Sequence, residues 1–190
     1  MNNEVLDNEL FAPVQSDMQN SRFAGFWVRA AASIIDSLIF IPVILISFQN
    51  IFHWKILAVE ILITFSWMFY KVFMEYRYQG TWGKQLLKLK VVNESGGGIT
   101  FEQSLVRFSF YFMSYMGALM SNYYMFSDAG FQAVHTLNDL AIWEEGQDDT
   151  ISILASIPLM VSVSLVAFDL RKQAIHDKMA KTYCVYKANN

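Results

Sequence analysis

The sequence predicts an all-α membrane protein, four transmembrane helices carrying a small cytoplasmic β-hairpin element. Three observations point there. Of 190 residues, 54% are hydrophobic and only 16% charged, against about 25% charged in a soluble domain. Four long runs are almost free of charge, each close to the roughly 20 residues that cross a bilayer core of about 30 Å as a helix. Threading those runs through a membrane also places all but one Lys or Arg on a single side, the bias that marks a cytoplasmic face.

The runs fall near 30–48, 55–74, 106–127 and 151–169. Backbone polar groups in lipid bond internally, so each is read as a helix. Asp36 interrupts the first run, and Glu60 and Lys71 the second. The third is uncharged past Arg107 but rich in Tyr, Ser and Met. The fourth contains Pro158, which is expected to kink it. The first run starts too late and is too long for a cleaved leader, and its preceding segment is acidic, so it is read as a retained span. Residues 1–20 read as a flexible acidic tail, 21–187 as the membrane domain and 188–190 as a short tail. An inner loop covers 75–105 and an acidic outer loop 128–150.

Arg22, Arg29, Lys71, Arg77, Lys84, Lys88, Lys90, Arg107, Arg171, Lys172, Lys178, Lys181 and Lys187 share one side; Lys55 stands alone on the other. Both termini are therefore expected in the cytoplasm. Phe23, Phe26 and Trp27 beside Arg22 and Arg29 suit the headgroup zone.

In the inner loop, Leu86 to Val92 alternates apolar and basic residues, Asn93 to Gly98 supplies a turn, and Ile99 and Thr100 start a return strand. That pattern predicts a hairpin, with Thr182 to Tyr186 as a third strand. Gly96 to Gly98 lacks the lysine and hydroxyl spacing of a phosphate loop. Thr100 and Gln103 have the spacing of a capping box that opens the third helix. In the outer loop, Ala129 to Trp143 reads either as a short helix on the leaflet or as a loop folded on its own protein.

Several function classes drop out. Fourteen basic against 17 acidic residues give a net charge of −3, which removes nucleic acid as a partner. The single cysteine, Cys184, forms no intramolecular disulfide, and no Cys/His zinc spacing is present. His53 and His135 read as ordinary polar histidines. His176 and Asp177, among basic neighbours, read as a salt-linked anchor without a nucleophile to serve. No catalytic, cofactor or metal constellation is expected, so the chain is read as a non-enzyme.

The membrane charges carry the remaining interest. Asp36 is about 10 Å inside the inner boundary and Glu60 about 9 Å inside the outer one, at 1.5 Å per residue. They can form two steps of a proton or cation path. Asp36 can equally be a structural ion pair with Arg29, Lys71 or Arg107, or can bind a headgroup or partner. Glu60 can snorkel or answer Lys55.

These residues resemble the RDD family of bacterial integral membrane proteins. Arg29 and Asp36 match its first-helix Arg and Asp. Thr81, Gly83, Lys84, Leu86, Leu87, Val91 and Val92, followed by Arg107, resemble its central pattern. Gln173, His176, Asp177, Lys178 and Thr182 resemble its closing pattern, with Lys181 where a glycine commonly stands. The resemblance implies a membrane protein for which transport, including cation/proton exchange in some members, has been proposed. Its motif charges, Arg29, Asp36, Lys84 and Asp177, are expected to cluster at the inner boundary, Asp177 pairing with Lys84 or Arg29. Two functions follow: ion or small-solute transport by a homo-oligomer, or a non-enzymatic accessory or assembly subunit of a larger membrane complex.

Overall fold

A computed structural model describes residues 21–148 and 150–187. The expected tails at 1–20 and 188–190, and Asp149 of the outer loop, lie outside the described residues. Most of the rest is helical. α1 (Phe26–Ile39) and α2 (Ile41–Gln49) form a pair bent by 58°. The expected first span is thus broken, and Pro42 is the physical reason. Its ring has no N–H to give the Leu38 carbonyl and disfavours helical backbone at Ile41. Phe40 at the break stacks on Trp67, centroids 4.1 Å apart. α2 ends in a π-helical turn, Asn50–Trp54, and Lys55 turns the chain with a left-handed φ of 56°.

α3 (Leu57–Tyr78) runs 22 residues and stops where Gln79 turns left-handed. α4 (Trp82–Leu86) leads into β1 (Leu89–Asn93). The predicted hairpin is not what forms. β1 pairs antiparallel with β2 (Thr182–Tyr186), Val91 opposite Cys184, and Ile99 and Thr100 add no strand. The Asn93 side chain explains why. Its Oδ1 accepts from the Ser95 and Gly97 amides, and its Nδ2 donates to the Gly98 carbonyl. The chain leaves this closed loop straight into α5 (Phe101–Ser127), where the Thr100–Gln103 capping box satisfies the first turn. The predicted alternation also begins late, since Leu86 still belongs to α4.

After α5 come a 3-10 turn, Gly130–Ala133, and α6 (Leu137–Glu144). This loop folds on its own protein. Phe131 and Val134 are buried, and Lys55 Nζ donates to the carbonyls of Phe131 (3.1 Å) and Gln132 (2.5 Å). α7 (Thr150–Ser164) runs through Pro158, continues as a 3-10 turn to Ala167, and is followed by α8 (Ile175–Met179). α5 and α7 form the most extensive helix pair. Gly117 permits it: a Cβ there would lie 2.4 Å from that of Ala155, the small-residue contact that lets membrane helices approach closely.

α3 and the stretch Thr150–Ala167 are each long and apolar enough to cross a membrane, and the bent α1–α2 pair supplies a third crossing if it is one span. α5 is long, but its Tyr, Ser and Asn content keeps it out of that class. The surface is the reverse of a soluble protein's. Phe69 and Phe168 are 69% and 83% exposed, while Asp36, Glu60, Glu75, Arg107, His176 and Asp177 are buried.

Directly opposed residues in an antiparallel pair have Cα atoms about 4.5–5.5 Å apart, within disulfide reach. Val91→Cys should therefore form an intramolecular disulfide with native Cys184 under mild oxidation, read as loss of both free thiols by mass. Ile99→Cys should keep its thiol; the opposite pattern would restore the hairpin.

Candidate functional site

The end of the bundle that carries the sheet holds a chain of alternating charges. At its centre, Asp177 has no exposed side-chain surface. Its Oδ2 accepts from Arg29 Nη1 at 2.5 Å and from the Ala174 amide at 3.1 Å, which caps α8 from within. Its Oδ1 accepts from Arg107 Nη1. Arg107, on α5, also donates from Nε to Glu75 Oε2 at 2.8 Å and from Nη1 to Thr182 Oγ1 at 2.6 Å. Glu75, near the end of α3, accepts in turn from Lys84 Nζ of α4. Arg29, Asp177, Arg107, Glu75 and Lys84 thus join α1, α8, α5, α3 and α4 in one network. The two remaining Arg29 donors hold the Lys172 carbonyl (2.7 Å) and the Ala24 carbonyl (3.0 Å).

Geometry explains the residue types. The planar guanidinium of Arg107 spans two carboxylates and a hydroxyl at once, which an ammonium cannot reproduce. Burial alone would raise the Asp177 carboxyl; Arg107 and then Arg29 outweigh it and hold the group below the ordinary carboxylate range. Burial pushes His176 down to about 4, against the pull of Asp177. Its Nδ1 is 2.9 Å from Ser162 Oγ of α7, and its ring meets Tyr111 edge-on at 5.6 Å.

Asp36 stands apart from this network. Of the alternatives open for it, the ion pair with Arg29, Lys71 or Arg107 is not formed. Its Oδ1 accepts from the Tyr70 hydroxyl at 2.8 Å and from the Gly83 amide at 2.7 Å. The Tyr70 oxygen accepts from the Trp82 amide at 3.0 Å. The first turn of α4 thus finds its acceptors on α1 and α3, satisfying N–H groups that a helix start leaves open. Gly83 is required for this approach, since a Cβ there would sit 2.0 Å from the Ala32 carbonyl oxygen. Of the two partners expected for Asp177, Lys84 or Arg29, it takes Arg29, and Lys84 takes Glu75, which lies on the last turns of α3 and not in the loop assigned to it.

Glu60 lies at the other end, bound by Ser47 Oγ (2.9 Å) and Asn50 Nδ2 (2.9 Å), while Lys55 reaches the loop carbonyls instead. Among the described residues, neither Asp36 nor Glu60 has an ion-pair partner within 4.0 Å, and no His, Cys, Asp and Glu cluster is placed to hold a metal. Asp36 lines a cavity of about 220 Å³ together with Arg29, Lys71, Thr81, Lys84 and Arg107, closed on one side by Leu159 and Val163 of α7. Glu60 is not on its wall.

The RDD family profile matches residues 23–181, which takes in all of these groups. The chain belongs to the RDD family. It is also similar to the uncharacterized protein YxaI of Bacillus subtilis (strain 168), 30% identical over 126 residues, covering 51% of this chain and 83% of that protein. No solved structure matches. This RDD protein is a membrane protein, and the paired Arg29 and Asp177 close its fold from opposite ends of the sequence. Glu75 and Ser162 carry no signal in the sequence pattern read above. Glu75 follows an apolar run like many span-ending acids, and only its contacts single it out.

His176 is neutral when folded but takes a proton near 6.5 when unfolded. Its contribution to stability is complete above that pH and is lost as the pH falls toward about 4. At pH 5 the loss relative to pH 7.5 should be about 2 kcal/mol. Thermal unfolding in detergent should show His176→Gln with a flatter profile over pH 5–7.5 than wild type; parallel profiles would contradict the assignment.

Proposed function

We propose that this RDD protein crosses a bacterial inner membrane four times, with both termini in the cytoplasm, and moves an ion or small solute as a homo-oligomer by a cation/proton-exchange type of mechanism. α5 serves as the additional span: 27 residues at 1.5 Å each reach about 40 Å, beyond the bilayer core. The distribution of basic residues supports the orientation, with the sheet and its charge network on the cytoplasmic side and Lys55 with the acidic loop outside.

One observation carries the transport reading. Asp36 is a buried carboxylate, 6% exposed, on the wall of a cavity of about 220 Å³, held by neutral donors and by no cation. A carboxylate so placed can exchange a proton or cation without breaking an ion pair. Glu60 provides a second such acid toward the outer side. Four helices are few to enclose a path between them, so neighbouring copies supply the missing wall.

In proteoliposomes of the purified chain, an imposed ion gradient should drive a pH change that Asp36→Asn reduces about tenfold or more. Unchanged flux in a folded Asp36→Asn protein would remove Asp36 from the mechanism. Absence of flux in wild type, with a stoichiometric protein co-purifying in mild detergent, would favour the accessory or assembly role.

A further inference from the structure

The cavity beside Asp36 has a charge imbalance. Arg29, Lys71, Lys84 and Arg107 lie on its wall with Asp36, and Glu75 and Asp177 stand directly behind, each bonded to those cations. Four cations against three carboxylates leave one positive charge in excess. That excess belongs to the paired network, where Arg29, Arg107 and Lys84 meet Asp177 and Glu75; the cation on this wall that makes no ion pair is Lys71. Its ammonium lies over the Tyr111 ring, 3.9 Å from the centroid, and no carboxylate lies within 4.0 Å of it among the described residues. Glu75 and Asp36 act on it only through space, and a half-buried cation with no counter-charge in contact favours an anion that can reach it.

A second observation is independent of charge. Thr81 is 1% exposed, and its Oγ1 is a buried side-chain oxygen without a hydrogen-bond partner among the described residues, although it belongs to the same cavity wall. Buried hydroxyls are almost always satisfied, so this one calls for a polar occupant. The volume far exceeds the roughly 10–15 Å³ that one water needs. Ser33 of α1 is exposed and also lines the cavity, which gives it an opening beside α1.

We propose that this cavity is an oxyanion site for a phosphate group carrying one negative charge, bound by Lys71 with Thr81 as hydrogen-bond donor. Two sources share that chemistry: the phosphodiester of a lipid headgroup entering past Ser33, and free phosphate from the aqueous side. The single charge balances the wall. Asp36 lies on the same wall and repels the anion, but the four cations there outweigh it, and its Oδ1 is taken up by the Tyr70 hydroxyl and the Gly83 amide. The inference goes beyond the transport reading and holds whether or not a solute is moved. If both hold, the bound anion lowers the electrostatic barrier to a cation or proton approaching Asp36.

The test uses the full chain, delipidated in detergent and in nanodiscs. Inorganic phosphate against chloride at equal ionic strength is followed by calorimetry. Phosphatidylglycerol against a phosphate-free glycolipid is followed by native mass spectrometry of retained lipid. Wild type should bind at least one phosphate probe in preference to its control; Lys71→Gln should weaken that binding about tenfold or more, and Lys71→Arg should restore it. Thr81→Val, close to isosteric, should weaken it severalfold without unfolding the protein. Binding of phosphate alone assigns the free anion, and binding of phosphatidylglycerol alone assigns the headgroup. The proposal is overturned if neither probe is preferred over its control, or if Lys71→Gln and Thr81→Val bind as wild type. Flux can fail in proteoliposomes without altering either binding result, which separates this inference from the transport reading.

Discussion

A single carboxylate, Asp177, held between two guanidinium groups and fully removed from solvent, is the constraint on which the rest of the structure depends. Its two oxygens face opposite ways. One takes Arg29 from the first helix and the other takes Arg107 from the long helix α5, so the short α8 is fixed between elements far apart in sequence. β2 follows α8 directly, and its first residue, Thr182, shares Arg107 through its hydroxyl. Once Thr182 is placed, the strand register from Asn93–Thr182 to Leu89–Tyr186 is set. The sheet is a consequence of the ion network as much as of strand propensity, because a two-stranded ribbon has little stability of its own.

Burying Glu75, Arg107 and Asp177, with Arg29 and Lys84 mostly covered, is unfavourable, and mutual attraction offsets it only with near-complete hydrogen bonding. The network meets that condition with spare donors used on carbonyls at Ala24, Lys172 and, through Gln173 and Thr182, on the backbone of α8 and β2. Such a cluster specifies one arrangement of helices more than it adds net stability, since any slip leaves a buried charge unpaired. Lys71 lies beside it over the Tyr111 ring without an ion pair, and Asp36 is the acid kept out of it. The same end of the bundle therefore contains both a rigid ionic frame and two groups free to meet something else.

Much of this was legible in the sequence, for reasons that differ by residue. Arg29, Asp36, Lys84 and Asp177 stand out because charge at the edge or inside of an apolar run has few innocent explanations. Their partners were less accessible. Asp36 looked like half of an ion pair because depth alone matched it to Lys71 and Arg107. Depth says nothing about the N-terminus of α4, which arrives from a loop and offers amides instead. Glu75 was hidden because the end of α3 was drawn four residues too early. The hairpin reading failed on Asn93, whose amide closes its own loop. The break in the first span falls at Phe40, two residues before Pro42, while Pro158 sits inside a helix that continues through it, so a proline in an apolar run does not by itself say whether the span breaks.

The most direct measurement is a double-mutant cycle between Arg107→Met and Asp177→Asn, read by equilibrium unfolding in detergent. Either change alone leaves a buried charge uncompensated and should lower stability by about 3–5 kcal/mol. Because both act through one contact, the pair should fall short of the sum by about 2–3 kcal/mol. A coupling within about 0.5 kcal/mol of zero, the scatter of independent sites, would contradict an account in which the Arg107–Asp177 contact holds the sheet and the helices together.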